Sequence, residues 1–479
     1  MQQISLKEKT ASTVLHQFIF PFSIRKAAYA EMKHDLQLKG FCPFQLTNTE
    51  LEHEYYGSHY QVSHREMEHM FLPFTNQFLF PIKANESLSF QRYSKKIDLD
   101  CEFYMPDTII PFRIHSVDVI LCPYEIGMLT IRTELEQDVS YSQGLEFAKR
   151  FRTLENLEPE DEVTYVKTEH AVHREIVSFC NDELFPGLFD WMDQEENDDN
   201  VFANLPFFIN ERMFTIALYG LDADETVTNA DLFRAVRLNG LDSKGQPYIG
   251  SSNADYIANY VHQRVYDRWA PSTYHIADEH VFSCVTNETN AVVKSLASKM
   301  FGSYYYAFLL NLFHKIVLLK LSNHYGRLRL DRNRERVEDL IRGITLFSSR
   351  FYYREMVAES QLHDIFHLLR RLHGNDELLK DVKLTLSALY DYQSNATSKR
   401  SDYILTVLTI FTVISGIYGM NQVIEDLKAP IDWTKALHYS LFEYLALAVT
   451  FTGISVSIVL AITTLTSISK EYFRRKKRQ

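Results

Sequence analysis

Residues 403–421 read YILTVLTIFTVISGIYGMN. From Tyr403 to Met420 no residue carries a charge, and 18 residues in a helix extend about 27 Å, close to the roughly 30 Å hydrocarbon core of a bilayer. A second uncharged run, Tyr444 to Ser469, has 26 residues and is long enough to cross with tilt. The polar stretch between them, 421–443, is too short to be a domain. The two runs predict a transmembrane hairpin, with spans at 403–420 and 444–469 and an external loop at 421–443. Lys399 and Arg400 precede the first run, and Lys470, Arg474, Arg475, Lys476, Lys477 and Arg478 occur in the tail 470–479. The loop holds Glu425, Asp426 and Asp432 against Lys428 and Lys435. By the positive-inside rule both termini are expected in the cytoplasm, and the chain is expected in the cell (inner or plasma) membrane as a multi-pass protein.

Taken at steps of three and four, Asn395, Ser398, Asp402, Leu405, Thr409, Thr412, Gly416 and Gly419 form one stripe, while Ile404, Val407, Ile410, Phe411 and Ile414 lie between them. Such a stripe faces either a packed helix or a shared axis. In the first reading small residues let backbones approach. In the second, several copies surround a hydrated path lined by this stripe.

Gly416-Ile417-Tyr418-Gly419-Met420-Asn421 resembles the signature of the CorA family of divalent-cation channels. The basic tail and the placement of Asn395 near the inner end of the same helix are similar to that family too. More weakly, Asp118-Val119-Ile120-Leu121 and Met128-Leu129-Thr130-Ile131-Arg132 look like a strand pair of the family's cytoplasmic domain. The resemblance implies a CorA-like homopentamer: an α/β cytoplasmic domain, a long helical stalk and two C-terminal transmembrane helices. It implies a selectivity filter at Gly419, Met420 and Asn421, and a pore lined by Asn395, Ser398, Asp402, Leu405, Thr409, Thr412 and Gly416. Magnesium is the implied ion, moved down its electrochemical gradient, with Co2+, Ni2+ and Zn2+ as alternatives. A ring of Asn421 amides suits an ion that holds its water shell tightly, because the amides bind it through that shell. Departures from the family are the absence of proline in the first span, the polar Ser398, Ser401 and Asp402 near its inner end, and Gln422-Val423-Ile424-Glu425-Asp426 where an acidic stretch is usual.

Upstream, 291–402 has apolar and charged residues mixed at helical spacing and no proline, as expected of the stalk, with Gly374-Asn375 as a break. Glu359 and Asp364 fall where the family binds regulatory magnesium, although charges on a helix are also ordinary solvated groups. Residues 1–290 are expected to form the cytoplasmic α/β domain, with 1–105 as a possible added subdomain. Within it Ile4 to Ile19 reads as helix, whereas Gln77-Phe78-Leu79-Phe80 and Ile114 to Arg132 alternate as strands do.

The formal charge of −12, with acidic runs at 158–162 and 193–199, argues against nucleic acid as a partner. Five cysteines, Cys42, Cys101, Cys122, Cys180 and Cys284, include no Cys-x-x-Cys pair, as expected of reduced thiols. Histidines recur at His64 and His69, His170 and His173, and His275 and His280, without metalloprotease spacing, and there is no phosphate loop or nucleophile elbow. The chain is therefore not expected to be an enzyme, and a membrane-tethered hydrolase is the remote reading. A nearer alternative keeps the pore: the long front end is similar to CorA-like membrane effectors found beside CRISPR systems in prokaryotes, which a nucleotide messenger would gate. Lys149, Arg150 and Arg152 are the candidate cations for such a ligand.

Overall fold

The computed structural model describes residues 6–425 apart from 26–27, 83–87, 107, 137–138, 157–162, 194–211 and 327–333, together with scattered residues between 434 and 459. Twelve strands form one mixed sheet: β1 Thr10–Ser23, β2 Cys42–Pro43, β3 Gln91–Met105, β4 Thr108–Cys122, β5 Ile126–Leu135, β6 Val139–Ser140, β7 Tyr165–Lys167, β8 Val172–His173, β9 Phe214–Leu221, β10 Val265–Trp269, β11 Thr273–Ala277 and β12 Val281–Thr286. The α-helices are α1 Tyr29–Leu38, α2 His64–Met70, α3 Pro73–Leu79, α4 Tyr141–Phe151, α5 Ile176–Phe179, α6 Asn229–Arg237, α7 Ala254–His262, α8 Asn290–Phe301, α9 Ser303–Gly326, α10 Arg334–Arg350, α11 Ser360–Leu372 and α12 Asn375–Glu425. The chain divides into two units, Met1–Thr385 and Leu386–Gln479.

Across the sheet of the first unit the strand order is β10-β11-β12-β9-β1-β5-β4-β3-β7-β8, with β2 beside β3 and β6 beside β1. The β12–β9 pair is parallel and the others are antiparallel. Its best-formed part is the meander β3–β4–β5, where Asp118 lies opposite Thr130 and Ile120 opposite Met128, the pairing anticipated between those two segments.

Two local expectations fail. Residues 10–19, read as helix, are the first part of β1, which lies in the middle of the sheet between β9 and β5. From Val14 onward β1 is buried nearly throughout, so it has no polar face and shows no period of two; Val14, Leu15, Phe18 and Ile19 fall by chance at helical spacing. Gln77 to Leu79, read as strand, closes α3, which starts with Pro73 at its first position.

One sheet face carries the main apolar core, in which Phe147 and Phe151 of α4 pack on Phe18, Phe103 and Phe112. On the opposite face α8 and α9 are docked, with Gln17 donating to the Met300 carbonyl and the Tyr305 hydroxyl meeting Thr130 Oγ1 at 2.8 Å. Residues 304–313 of α9 are all buried, so this stretch is interior to the unit. The region 291–402 thus holds α8 to α11 and the first part of α12, with turns at Gly302 and at Gly374, whose φ of +68° is the left-handed conformation that ends a helix.

The C-terminal architecture requires a correction. Among the described residues no helix is long and apolar enough to cross a membrane, against the two C-terminal transmembrane helices expected at 403–420 and 444–469. The multi-pass placement in the cell membrane with cytoplasmic termini and the transmembrane-channel description lose their support with it. The uncharged run at 403–420 is the distal part of α12, a helix that also carries Asp376, Glu377, Lys380, Asp381, Lys383, Asp391, Lys399, Arg400 and Asp402. The run is thus the end of a longer helix whose proximal part is charged, and not an element by itself. Most of 421–443 and 444–469, and all of 470–479, lie outside the described residues.

Candidate divalent-cation site

Helix α12 carries every residue assigned to the pore and filter, from Asn395 to Asn421, without a break. The three- and four-residue steps therefore do place Asn395, Ser398, Asp402, Leu405, Thr409, Thr412, Gly416 and Gly419 on one helical face. The Thr409 and Thr412 hydroxyls each donate to the carbonyl four residues earlier, Leu405 and Leu408, at 2.7 Å, which satisfies them within the helix. Leu405, Leu408 and Ile410 are each more than half exposed in the single chain. The side chains of Asn395, Asp402, Met420 and Asn421 lie outside the described residues.

The regulatory candidates Glu359 and Asp364 both belong to α11, in different roles. Glu359 is its N-cap, accepting from the Gln361 and Leu362 backbone N–H groups at 3.0 and 2.7 Å, which stabilises the helix start. Asp364 lies 3.8 Å from His363 Nδ1. His363 Nε2, on the other side of that ring, meets Glu355 Oε2 at 3.1 Å, and the His367 ring stands 4.3 Å from the His363 ring, centroid to centroid. One ligand atom each from Glu355, His363 and His367 lies within 4.8 Å of the others; among the described residues no other group of His, Cys, Asp or Glu meets that condition.

Local sequence explains how the two rings come together. Leu362, Ile365, Phe366 and Leu369 form the buried face of α11, and His363 and His367, four apart, share a flank at the edge of it. Burial, then the nearby His363 and Arg370, lower the His367 pKa, so its imidazole is neutral near pH 7 with a lone pair to offer. Glu355 comes from the α10–α11 connection, which is held on both sides. Phe71 and Val357 form an isolated bridge, Leu72 N–H donates to the Met356 carbonyl and Ala358 N–H to the Met70 carbonyl. On the other side Arg370 donates to the Tyr353 and Arg354 carbonyls, with Tyr352 Oη and Asp376 as further partners.

The remaining candidates do not converge. Lys149 and Arg150 share the Glu146 carboxylate, at 3.8 and 2.6 Å. Arg152 sits where burial pulls its pKa down to about 10, between the charges of Asp278, Arg212 and Arg237. Buried His64 gives Nδ1 to the Leu46 carbonyl, His173 lies 3.9 Å from Glu183, and His275 is wholly buried between Phe282 and Tyr304. Cys42 is exposed and the other four thiols are buried and free. Sequence reasoning passed over Glu355, His363 and His367, although a His-x-x-x-His spacing on a helix that buries Leu362, Ile365, Phe366 and Leu369 was a usable signal. Compared with known proteins, the chain matches no family model, no curated protein and no solved structure.

Proposed function

We propose that this chain binds divalent cations, magnesium foremost, and that copies of α12 come together as a homopentamer around a shared axis on which the ion is held. The single observation that carries the reading is that α12 is continuous from Asn375 to Glu425, so that the polar stripe and Gly419-Met420-Asn421 share one helix. Exposed Leu405, Leu408 and Ile410 support the assembly, because apolar side chains left uncovered in one chain become buried between copies. The proposal concerns this helix and its copies; it does not restore the two-span hairpin corrected above. In it a ring of Asn421 amides holds the hydrated ion, and no covalent step is involved.

The test is magnesium binding to the purified full-length protein by isothermal titration calorimetry, comparing wild type with Asn421→Ala. An affinity that falls at least about tenfold in the variant, with the oligomer unchanged by light scattering, is expected. Absence of binding by wild type, or equal binding by the variant, refutes the assignment.

A further inference from the structure

We infer that Glu355, His363 and His367 form a binding site for a borderline first-row divalent ion of the Zn2+, Co2+ and Ni2+ class. Two imidazole nitrogens and one carboxylate oxygen are the donor set such ions take, whereas magnesium prefers an all-oxygen octahedron with several waters.

The geometry is close to what that ion requires. Arms of about 2.0–2.1 Å give a tetrahedral edge of roughly 3.3–3.4 Å. His363 Nε2 and Glu355 Oε2 are already 3.1 Å apart, and a nitrogen of the partly buried His367 lies within 4.8 Å of a ligand atom of each, a gap the ion would draw in. Three protein ligands leave a fourth position for water or a ligand from outside. Asp364 stands 3.8 Å from His363 Nδ1, beyond hydrogen-bond distance, and adds negative charge beside that ring. The framework is rigid where rigidity matters. The histidines stand on a helix with a buried apolar face, and Glu355 stands between the Arg370 anchors and the Phe71–Val357 bridge. A bound ion would tie the α10–α11 connection to the first two turns of α11.

The site deepens the divalent-cation reading, but its test does not depend on magnesium held by α12. Apo full-length protein is titrated with Co2+ and followed by visible d–d absorption. One equivalent is expected to bind with the intense bands of four- or five-coordination, to be displaced by Zn2+, and to persist in a thousandfold excess of Mg2+. His363→Ala/His367→Ala is expected to weaken that equivalent by at least about 100-fold. Zinc is expected to raise the melting temperature of wild type and not of the double variant. Displacement of Co2+ by magnesium, or an unchanged titration in the folded double variant, overturns the site. Either result leaves the α12 proposal standing, and a failure of the Asn421→Ala comparison leaves this site standing.

Discussion

Asp118 is the most consequential single carboxylate in the sheet. It is completely buried on β4, and its Oδ2 accepts from Arg132 Nη2 at 2.6 Å and lies 3.0 Å from Arg92 Nε. Two buried guanidiniums thus share one anion, with Tyr56 and Tyr305 beside Arg132, and Tyr306 accepting from Arg92. In Asp118→Asn the shape is kept and the charge removed, so both cations remain buried without an anion. Removing one partner of a buried pair costs about 3–5 kcal/mol, and the mutual repulsion of Arg92 and Arg132 argues for the upper end. At about 2–4 °C per kcal/mol for a large domain, the melting temperature should fall by roughly 6–20 °C. The assay is urea unfolding at pH 7 followed by tryptophan fluorescence, with calorimetry as the second measurement. An acid arm isolates the carboxylate. Burial pushes the Asp118 pKa up, but Arg132 and Arg92 outweigh it and the net shift is downward. Its contribution is therefore fully present above the unfolded-state value of about 3.9 and is lost as pH falls through the lower folded value, so wild type and variant should converge in strong acid. Replacing all three charges together, Arg92→Met, Asp118→Leu and Arg132→Met, should cost less than Asp118→Asn alone, since no uncompensated ion is left. A difference under about 1 kcal/mol at pH 7 for Asp118→Asn would refute the argument.

Acid should weaken the fold well before Asp118 titrates. His16, His275, His314 and His373 are buried, and burial is the first cause that lowers each pKa to about 3. The unfolded chain protonates these rings near pH 6.5 and the folded chain does not, so stability is full above 6.5 and falls as pH drops toward 3, with a slope approaching about 5 kcal/mol per pH unit. Stability measured from pH 8 to 5 should show this fall in wild type, and a flat profile would contradict the burial of these rings. Among the thiols, Cys42 alone is exposed, while burial raises the pKa of Cys101 and Cys180 to about 12 and lifts Cys122 and Cys284 further. A thiol reagent should therefore modify one cysteine rapidly in the native protein and all five in denaturant, and rapid native labelling of more than one would show that the sheet opens.

The features of the fold that were legible in the chain arise from interactions between near neighbours. The helices within 291–402 were legible because helical hydrogen bonds close within four residues, and Gly374 could be read as a break because a left-handed turn needs a glycine there. The β4–β5 hairpin was legible because a short turn, Pro123 to Glu125, separates two runs rich in β-formers. The central place of β1 was not. A strand pairs with residues more than a hundred positions away, Phe18 with Ile131 and with Thr215, and burial on both faces erases the alternation that marks a strand. Charge-free length at 403–420 suggested a span, whereas among the described residues no helix is long and apolar enough to cross a membrane, and the run is the end of the longer helix α12. The same division holds at the candidate site. His363 and His367 are paired by helical spacing alone, but Glu355 joins them only because the α10–α11 connection is pinned by Phe71 and Arg370. Likewise Arg92 reaches Asp118 and Arg132 only because β3, β4 and β5 lie side by side in that register. Tertiary structure decided both constellations, since a ligand set or a buried charge cluster is defined by distances that the chain acquires only when its strands and helices pack.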